Sequence, residues 1–322
     1  MTQLLSVNNL SVHFSTGNGV VKAVDNISYE LNAGETLGIV GESGCGKSVS
    51  ALSLLRLIPN PPGKIVDGEI LFEGRDLLKA SKKEICDLRG NKIAMIFQEP
   101  MTSLNPVLTI GQQVAEPLRV HQQMGKKQAA DEAVKALKKV HIPDSGRRIF
   151  DYPHQFSGGM CQRAMIAMGL TCAPKIIIAD EPTTALDVTI QAQLLSLMKQ
   201  LTLETGAALI LITHNLGVIA RYADRVNVMY AGRIVEKAIA KRLYKYPKHP
   251  YTIGLMASVP RLDQDVKTRL LPIDGQPPDL TNLPKGCAFG PRCRFRKEKC
   301  RVEAPQLRTI SDDHEIACWA DV

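Results

Sequence analysis

Four short apolar runs punctuate the chain: Thr36 to Val40, Ile93 to Phe97, Ile176 to Ala179 and Ala208 to Ile212, each bounded by polar turns. Uninterrupted runs of this length read as buried strands. Each is followed at once by unusual chemistry, as expected of an open α/β sheet that binds ligands just beyond the carboxyl ends of its strands. Between the second and third runs, roughly Ile110 to Thr171, the spacing turns helical, and the segment Lys126 to Val140, KKQAADEAVKALKKV, is amphipathic. The pattern predicts a helical insertion at about 108–171 inside an α/β core spanning 1–243. After Leu243 the texture changes, because Pro247, Pro250, Pro260, Pro272, Pro277, Pro278 and Pro284 leave only short pieces between them. A small loop-rich domain over 244–322 is expected there.

A chain of 322 residues can bury a full core, and 44% apolar with 22% charged residues is ordinary for a globular protein. No apolar run approaches the roughly 18 to 20 residues that cross a bilayer, and MTQLLSVNNLSV lacks the regions of a secretory signal. The expected location is the cytosol. A net charge of +8 invites nucleic acid or acidic lipid as a partner, but the excess is local. Lys285, Arg292, Arg294, Arg296, Lys297, Lys299 and Arg301 face a single acid, Glu298, in that stretch. Cysteines interleave with this run. Of eight, Cys287, Cys293, Cys300 and Cys318 cluster late, and in a reducing compartment such a cluster reads as a metal site before it reads as disulfides.

The segment GESGCGKS (Gly41, Glu42, Ser43, Gly44, Cys45, Gly46, Lys47, Ser48) fits G-x-x-x-x-G-K-[ST] and follows an apolar strand. Beyond it, from Val49, helical spacing begins. That context lets backbone N–H groups curl around phosphate oxygens at a helix N-terminus. Lys47 is expected to neutralise the β and γ phosphates of ATP, and Ser48 to place its hydroxyl on Mg2+. KIIIADEP, Lys175 to Pro182, is a buried strand ending in two acids. A carboxylate there needs a cation, which assigns Asp180 to Mg2+ and Glu181 to polarising the attacking water. FSGGMCQR, Phe156 to Arg163, puts Ser157, Gly158 and Gly159 at the start of a second helix, a second anion-binding corner.

The ordered set GESGCGKS, Gln98, SGG, ADEP, TALD and His214 resembles the nucleotide-binding subunits of ABC transporters, over roughly Leu4 to Val235. The resemblance implies a P-loop NTPase fold with a helical subdomain. It also implies that the phosphate loop of one subunit faces the signature of another, with two ATP molecules in the seam. Carried over by position, Phe14 stacks on adenine, Gln98 reaches magnesium and the attacking water, Asp187 crosses the dimer seam, and His214 touches the γ phosphate. The family signature usually reads SGGQ; here Met160 stands in the place after Gly159.

The tail extends the resemblance over almost the whole chain. YPKHPYT (Tyr246 to Thr252), the GC-x5-RC element from Gly286, Cys300 and Cys318 are similar to the ATPase subunits of dipeptide and oligopeptide importers, with nickel and glutathione importers as near relatives. EPMTSLNPVLTIGQQ and DEPTTALDVTIQAQ point the same way. The implied partners are a second ABC ATPase, in a hetero- or homodimer, two membrane permeases, and indirectly an extracytoplasmic peptide-binding protein. The implied place is peripheral, on the cytoplasmic face of the membrane. A soluble ABC ATPase acting on nucleic acid or ribosomes would suit the charge, but such proteins usually carry a long coiled coil or two nucleotide domains in one chain, and this sequence has neither. A tail acting as a redox or metal sensor, with the ATPase as its output, is compatible with the transporter reading.

The four late cysteines are separated by five, six and seventeen intervening residues, wider than the C-x2-4-C pairs usual around structural zinc. Those gaps suit a bulkier [4Fe-4S] cluster, with Zn2+ as the alternative. Some peptide-importer ATPases carry such a cluster. Arg292, Arg294 or Arg296 are expected to offset the thiolate charge.

Overall fold

The computed structural model describes residues 2–183, 187–258 and 272–320. In chain order the strands are β1 (Gln3–Thr16), β2 (Gly19–Asn32), β3 (Thr36–Val40), β4 (Gly63–Phe72), β5 (Arg75–Asp76), β6 (Ile93–Ile96), β7 (Ile176–Asp180), β8 (Ala208–Thr213), β9 (Arg225–Tyr230), β10 (Arg233–Ile239), β11 (Arg308–Ser311) and β12 (His314–Ile316). The four apolar runs of the sequence are β3, β6, β7 and β8, each within one residue of its expected end. Every residue of β3, β7 and β8 is buried, which is why they show no polar alternation.

Contacts divide the chain into two units. One comprises Met1–Thr2, Asn32–Glu35 and Lys79–Leu211; the other comprises Gln3–Leu31, Thr36–Leu78 and Ile212–Val322. The proline-rich tail thus falls in the same unit as the phosphate loop.

In the second unit, β2, β1, β4 and β5 form a sheet in that order, and β1 runs antiparallel to β4 with Phe14 opposite Gly63. Beside it, β3 pairs in parallel with β9, β9 with β10, and β10 with β12, which β11 flanks. The hairpin of β11 and β12 therefore adds tail residues to a sheet edge, a pairing that the weak patterning of 308–316 does not announce. Gly38 in β3 is required by packing: a Cβ there would sit 2.8 Å from the Ile219 side chain.

In the first unit, β6 and β7 pair in parallel, Ile96 opposite Ala179. Between residues 108 and 171 lie the helices Ile110–His121, Lys126–Lys139, Ser145–Arg148 and Gly158–Leu170. Thr109 starts the first with a capping box, its hydroxyl accepting from the Gln112 N–H while the Gln112 side chain accepts from the Thr109 N–H. In the second, Ala129, Ala133 and Leu137 recur at four-residue spacing and are all fully buried, so one narrow stripe docks the helix.

Candidate nucleotide site

GESGCGKS occupies the turn between β3 and the helix Lys47–Leu54. Two of its glycines are dictated by close approach. Gly41 and Gly46 have φ of +156° and +100°, and a Cβ on either would collide with the backbone carbonyl of Met229 or Ala23 respectively. Lys47 is buried, and its Nζ donates to the carbonyls of Gly41 at 2.8 Å and Glu42 at 3.0 Å. Those carbonyls hold the ammonium in a pocket whose backbone suits phosphate, so the cation is pre-placed within the loop. The Cys45 thiol is pushed up, chiefly by burial, with the Lys47 charge acting in the opposite direction. Burial thereby disfavours the reactive thiolate form of Cys45. Glu42 differs from its neighbours: its N–H already donates to the Tyr251 hydroxyl at 2.8 Å.

Phe14 is half-buried, its ring lying against Gly63. A Cβ at 63 would sit 2.7 Å from the ring, so glycine there makes room for it.

At the end of β7, Asp180 is buried and Glu181 is part-exposed. Glu181 has φ +44°, a left-handed conformation uncommon for a residue with a Cβ and characteristic of functional positions. Gln98, two residues past the end of neighbouring β6, reaches it with Nε2 at 3.5 Å from Oε2. The pairing of β6 with β7 brings these two together from 83 residues apart.

Ser157 caps the helix Gly158–Leu170, its hydroxyl accepting from the Met160 N–H at 3.3 Å. Gly158 is exposed, and a Cβ there would meet nothing within 4 Å. The helix start therefore stands open, and Met160 in place of the usual glutamine leaves its cap intact. Of TALD, Thr184, Ala185 and Leu186 lie outside the described residues. Asp187 caps the helix Val188–Thr205, accepting from the Ile190 N–H at 3.0 Å. His214 is exposed directly after β8; Asn215, next to it, caps the helix Leu216–Tyr222 by accepting from Gly217 and Val218.

Cys287, Cys293, Cys300 and Cys318 line one small cavity and form no disulfide. Burial pushes the Cys287 thiol up to about 11, with Cys300 and Cys318 adding to the rise, and burial raises Cys293 and Cys318 as well. The Lys297 N–H points at Cys300 Sγ from 3.4 Å and the Ala320 N–H at Cys318 Sγ from 3.3 Å. Among the described residues, no group of three or more His, Cys, Asp or Glu side chains is gathered closely enough to hold a metal ion. The expectation for the arginines needs correcting at one position. Arg292 does not face the thiols; it pairs with Glu42 of the phosphate loop, because the turn that ends at Arg292 directs it there. Arg294 stacks over Phe295, while the charge of Arg296 acts on Cys293. Tyr230, Tyr251 and Phe289 pack on one another, with Arg292 over Tyr230 and Phe289, and no sequence motif singled out Tyr230 or Phe289.

A family model described as ABC transporter matches residues 24–184, and one described as oligopeptide/dipeptide transporter, C-terminal region, matches residues 235–300. A dipeptide transport ATP-binding protein of Bacillus subtilis (strain 168) is 53% identical over 99% of this chain and 95% of its own length. An oligopeptide transport ATP-binding protein of Haemophilus influenzae is 50% identical over 99% of this chain and 98% of its own. Among solved structures, a dimeric ATP-binding cassette in a post-hydrolysis state, bound to ADP and Pi, superposes with TM-score 0.66 at 27% identity, covering 73% of this chain and 98% of that one. The chain belongs to the ABC transporter family, as an ATP-binding subunit. It is an ATPase whose hydrolysis is coupled to transport. Among the described residues no helix is long and apolar enough to cross a membrane.

Proposed function

We propose that the chain powers import of di- or oligopeptides by ATP-driven closure of two nucleotide-binding subunits against a pair of membrane permeases. The observation that carries this reading is the pre-formed phosphate loop, with Lys47 already seated on the Gly41 and Glu42 carbonyls, in a chain half identical from end to end to peptide-transport ATPases. In the assembled transporter, loop N–H groups from Ser43 to Val49 receive the phosphates, Lys47 turns from its carbonyls to the β and γ phosphates, and Phe14 supports adenine. Asp180, Ser48 and Gln98 offer the oxygen donors that suit Mg2+, which when bound neutralises charge on the phosphates. Glu181 orients and polarises water, aided by Gln98 and His214. Ser157, Gly158, Gly159 and Met160 serve the nucleotide held by the partner subunit, and Asp187 lies at the seam. The open helix start at Gly158 supports this assignment, and so does the dimeric state of the similar cassette.

The division into an ATPase domain over 1–243, with a helical subdomain at about 108–171, and a tail domain over 244–322 is supported by separate family matches to 24–184 and 235–300. The finer partner set is a second, similar ATPase, two permeases and a peptide-binding protein outside the membrane; the working place is the cytoplasmic membrane face. Within the tail, the four cysteines are assigned to a metal centre, [4Fe-4S] before Zn2+, whose binding would have to draw the side chains closer together than they stand. Their shared cavity and the N–H groups aimed at two sulfurs support this, since such donors stabilise ligating thiolates.

Reconstitution tests the transport reading. Vesicles holding the permeases, with this chain and ATP on the face corresponding to the cytoplasm and the binding protein on the other, should accumulate labelled di- or oligopeptide. Accumulation that proceeds equally without the chain, or only of a non-peptide substrate, overturns it.

A further inference from the structure

The phosphate loop is gripped from outside by the tail. Glu42, second residue of the loop, presents its carboxylate to Arg292, with Nη1 donating to Oε2 at 2.7 Å and Nη2 to Oε1 at 2.9 Å. Arg292 belongs to the single turn Gly290–Arg292, immediately before Cys293. Its Nε donates to the Asp274 carbonyl at 3.0 Å, and its terminal nitrogens also reach the Tyr230 hydroxyl and the Ile273 carbonyl, both at 3.4 Å. The Arg292 side chain is 6% exposed and that of Glu42 26%, so this is a part-buried fork with every arginine nitrogen engaged. The Tyr251 hydroxyl holds the same residue by its backbone, accepting from the Glu42 N–H. Tyr230, Tyr251 and Phe289 pack on one another with ring centroids 4.6 to 5.4 Å apart, and Phe289 lies two residues from Cys287.

Two independent holds meet on one loop position. An exposed single-point ion pair contributes little and tolerates drift, whereas a planar, bidentate, part-buried one fixes both distance and direction. Glu42 is thereby held by side chain and backbone at once, and its carbonyl is one of the two on which Lys47 rests. Mechanical continuity runs from Cys293 through Arg292 and Glu42 to Lys47.

We propose that Arg292 and Tyr251 are positioning residues for nucleotide binding, through which the cysteine-bearing tail sets the conformation of the phosphate loop and is set by its occupancy. This rests on GESGCGKS being the phosphate loop. Neither residue touches nucleotide; each acts through Glu42. Coupling between two sites is reciprocal, so a tail that raises nucleotide affinity is itself tightened when nucleotide binds.

Two measurements on the full chain test this. The first is titration with a non-hydrolysable ATP analogue and Mg2+. Arg292→Ala should weaken binding roughly tenfold and Tyr251→Phe roughly threefold, with Arg292→Lys between parent and alanine because it keeps charge and loses the fork. The second is hydrogen exchange of residues 286–296 in the parent, which should slow several-fold on adding the analogue, the slowing being lost in Arg292→Ala. A purely structural role would lower the melting temperature without moving affinity or nucleotide-dependent exchange. Should Arg292→Ala not fold, Tyr251→Phe and exchange in the parent decide alone. Parental affinity in both folded variants, or exchange in the parent indifferent to nucleotide, overturns the proposal. A parent that binds no nucleotide overturns the phosphate-loop reading instead, and the proposal with it.

Discussion

Gln98 Nε2 lies 3.5 Å from Glu181 Oε2, at the outer edge of hydrogen bonding, with the two residues set beyond the ends of neighbouring parallel strands. A contact that loose orients the carboxylate and can give way to water. Glu181→Gln should therefore keep affinity for Mg-ATP within about twofold while lowering turnover at least about 100-fold, the range expected for loss of a general base. Equilibrium binding measures the first quantity and phosphate release by the assembled transporter the second. Turnover at the parental rate would remove Glu181 from its role.

Lys47→Ala should act on the other quantity. The buried ammonium sits against two loop carbonyls, and its loss leaves the phosphates without their cation. Mg-ATP affinity should fall by roughly tenfold or more while far-ultraviolet circular dichroism stays parental, a charge-assisted bond contributing about 1.5 to 3 kcal/mol.

A cassette that completes its site with a partner's signature should hydrolyse poorly alone. The purified chain is expected to show low specific activity that rises with its own concentration and rises further with the second ATPase and permeases. Activity per molecule that stays high and constant across a hundredfold dilution would contradict a composite site.

The tail gives a pH dependence. Burial drives His249 down to about 4, partly opposed by the nearby Glu236 charge and a hydrogen bond to the Ala317 carbonyl. An unfolded histidine titrates near 6.5, so between about pH 6.5 and 4 the unfolded chain takes up a proton that the folded one refuses. Stability is consequently retained above that window and lost as pH falls through it, by up to about 3 kcal/mol from this group. Nδ1 of His249 also accepts from the Tyr251 N–H at the start of the helix Pro250–Ala257, a cap that asparagine can replace. Urea melts at pH 7 and 4.5 should show a smaller acid loss for His249→Asn than for the parent; equal losses would assign the dependence elsewhere.

The cysteine cluster makes a spectroscopic prediction. Anaerobically purified protein should be brown with broad visible absorbance and about four iron atoms per chain, and Cys300→Ala should bleach it. Colourless protein with one zinc per chain decides for zinc, and colourless metal-free protein removes the metal assignment.

What the sequence determined by itself was local. A phosphate loop is legible because its chemistry needs glycines, lysine and serine at fixed offsets between a strand and a helix, all within ten residues. The apolar runs of β3, β6, β7 and β8 are legible because strands buried on both faces cannot alternate. Helix caps at Thr109, Ser157 and Asp187 are likewise written within four residues. The long antiparallel pairing of β1 with β4 and the addition of β12 to β10 were not legible, because register across tens of residues is chosen by which faces the rest of the molecule buries. Arg292 shows the limit most clearly. By sequence it is one of seven basic residues in a run among cysteines, and charge neutralisation there was the natural reading. Only the folded chain brings it across 250 positions to Glu42, where burial turns an unremarkable arginine into a directional grip on the loop. Motifs report chemistry that neighbouring residues must share, while contacts between distant residues depend on a packing free energy summed over the whole unit, which no short stretch of sequence contains.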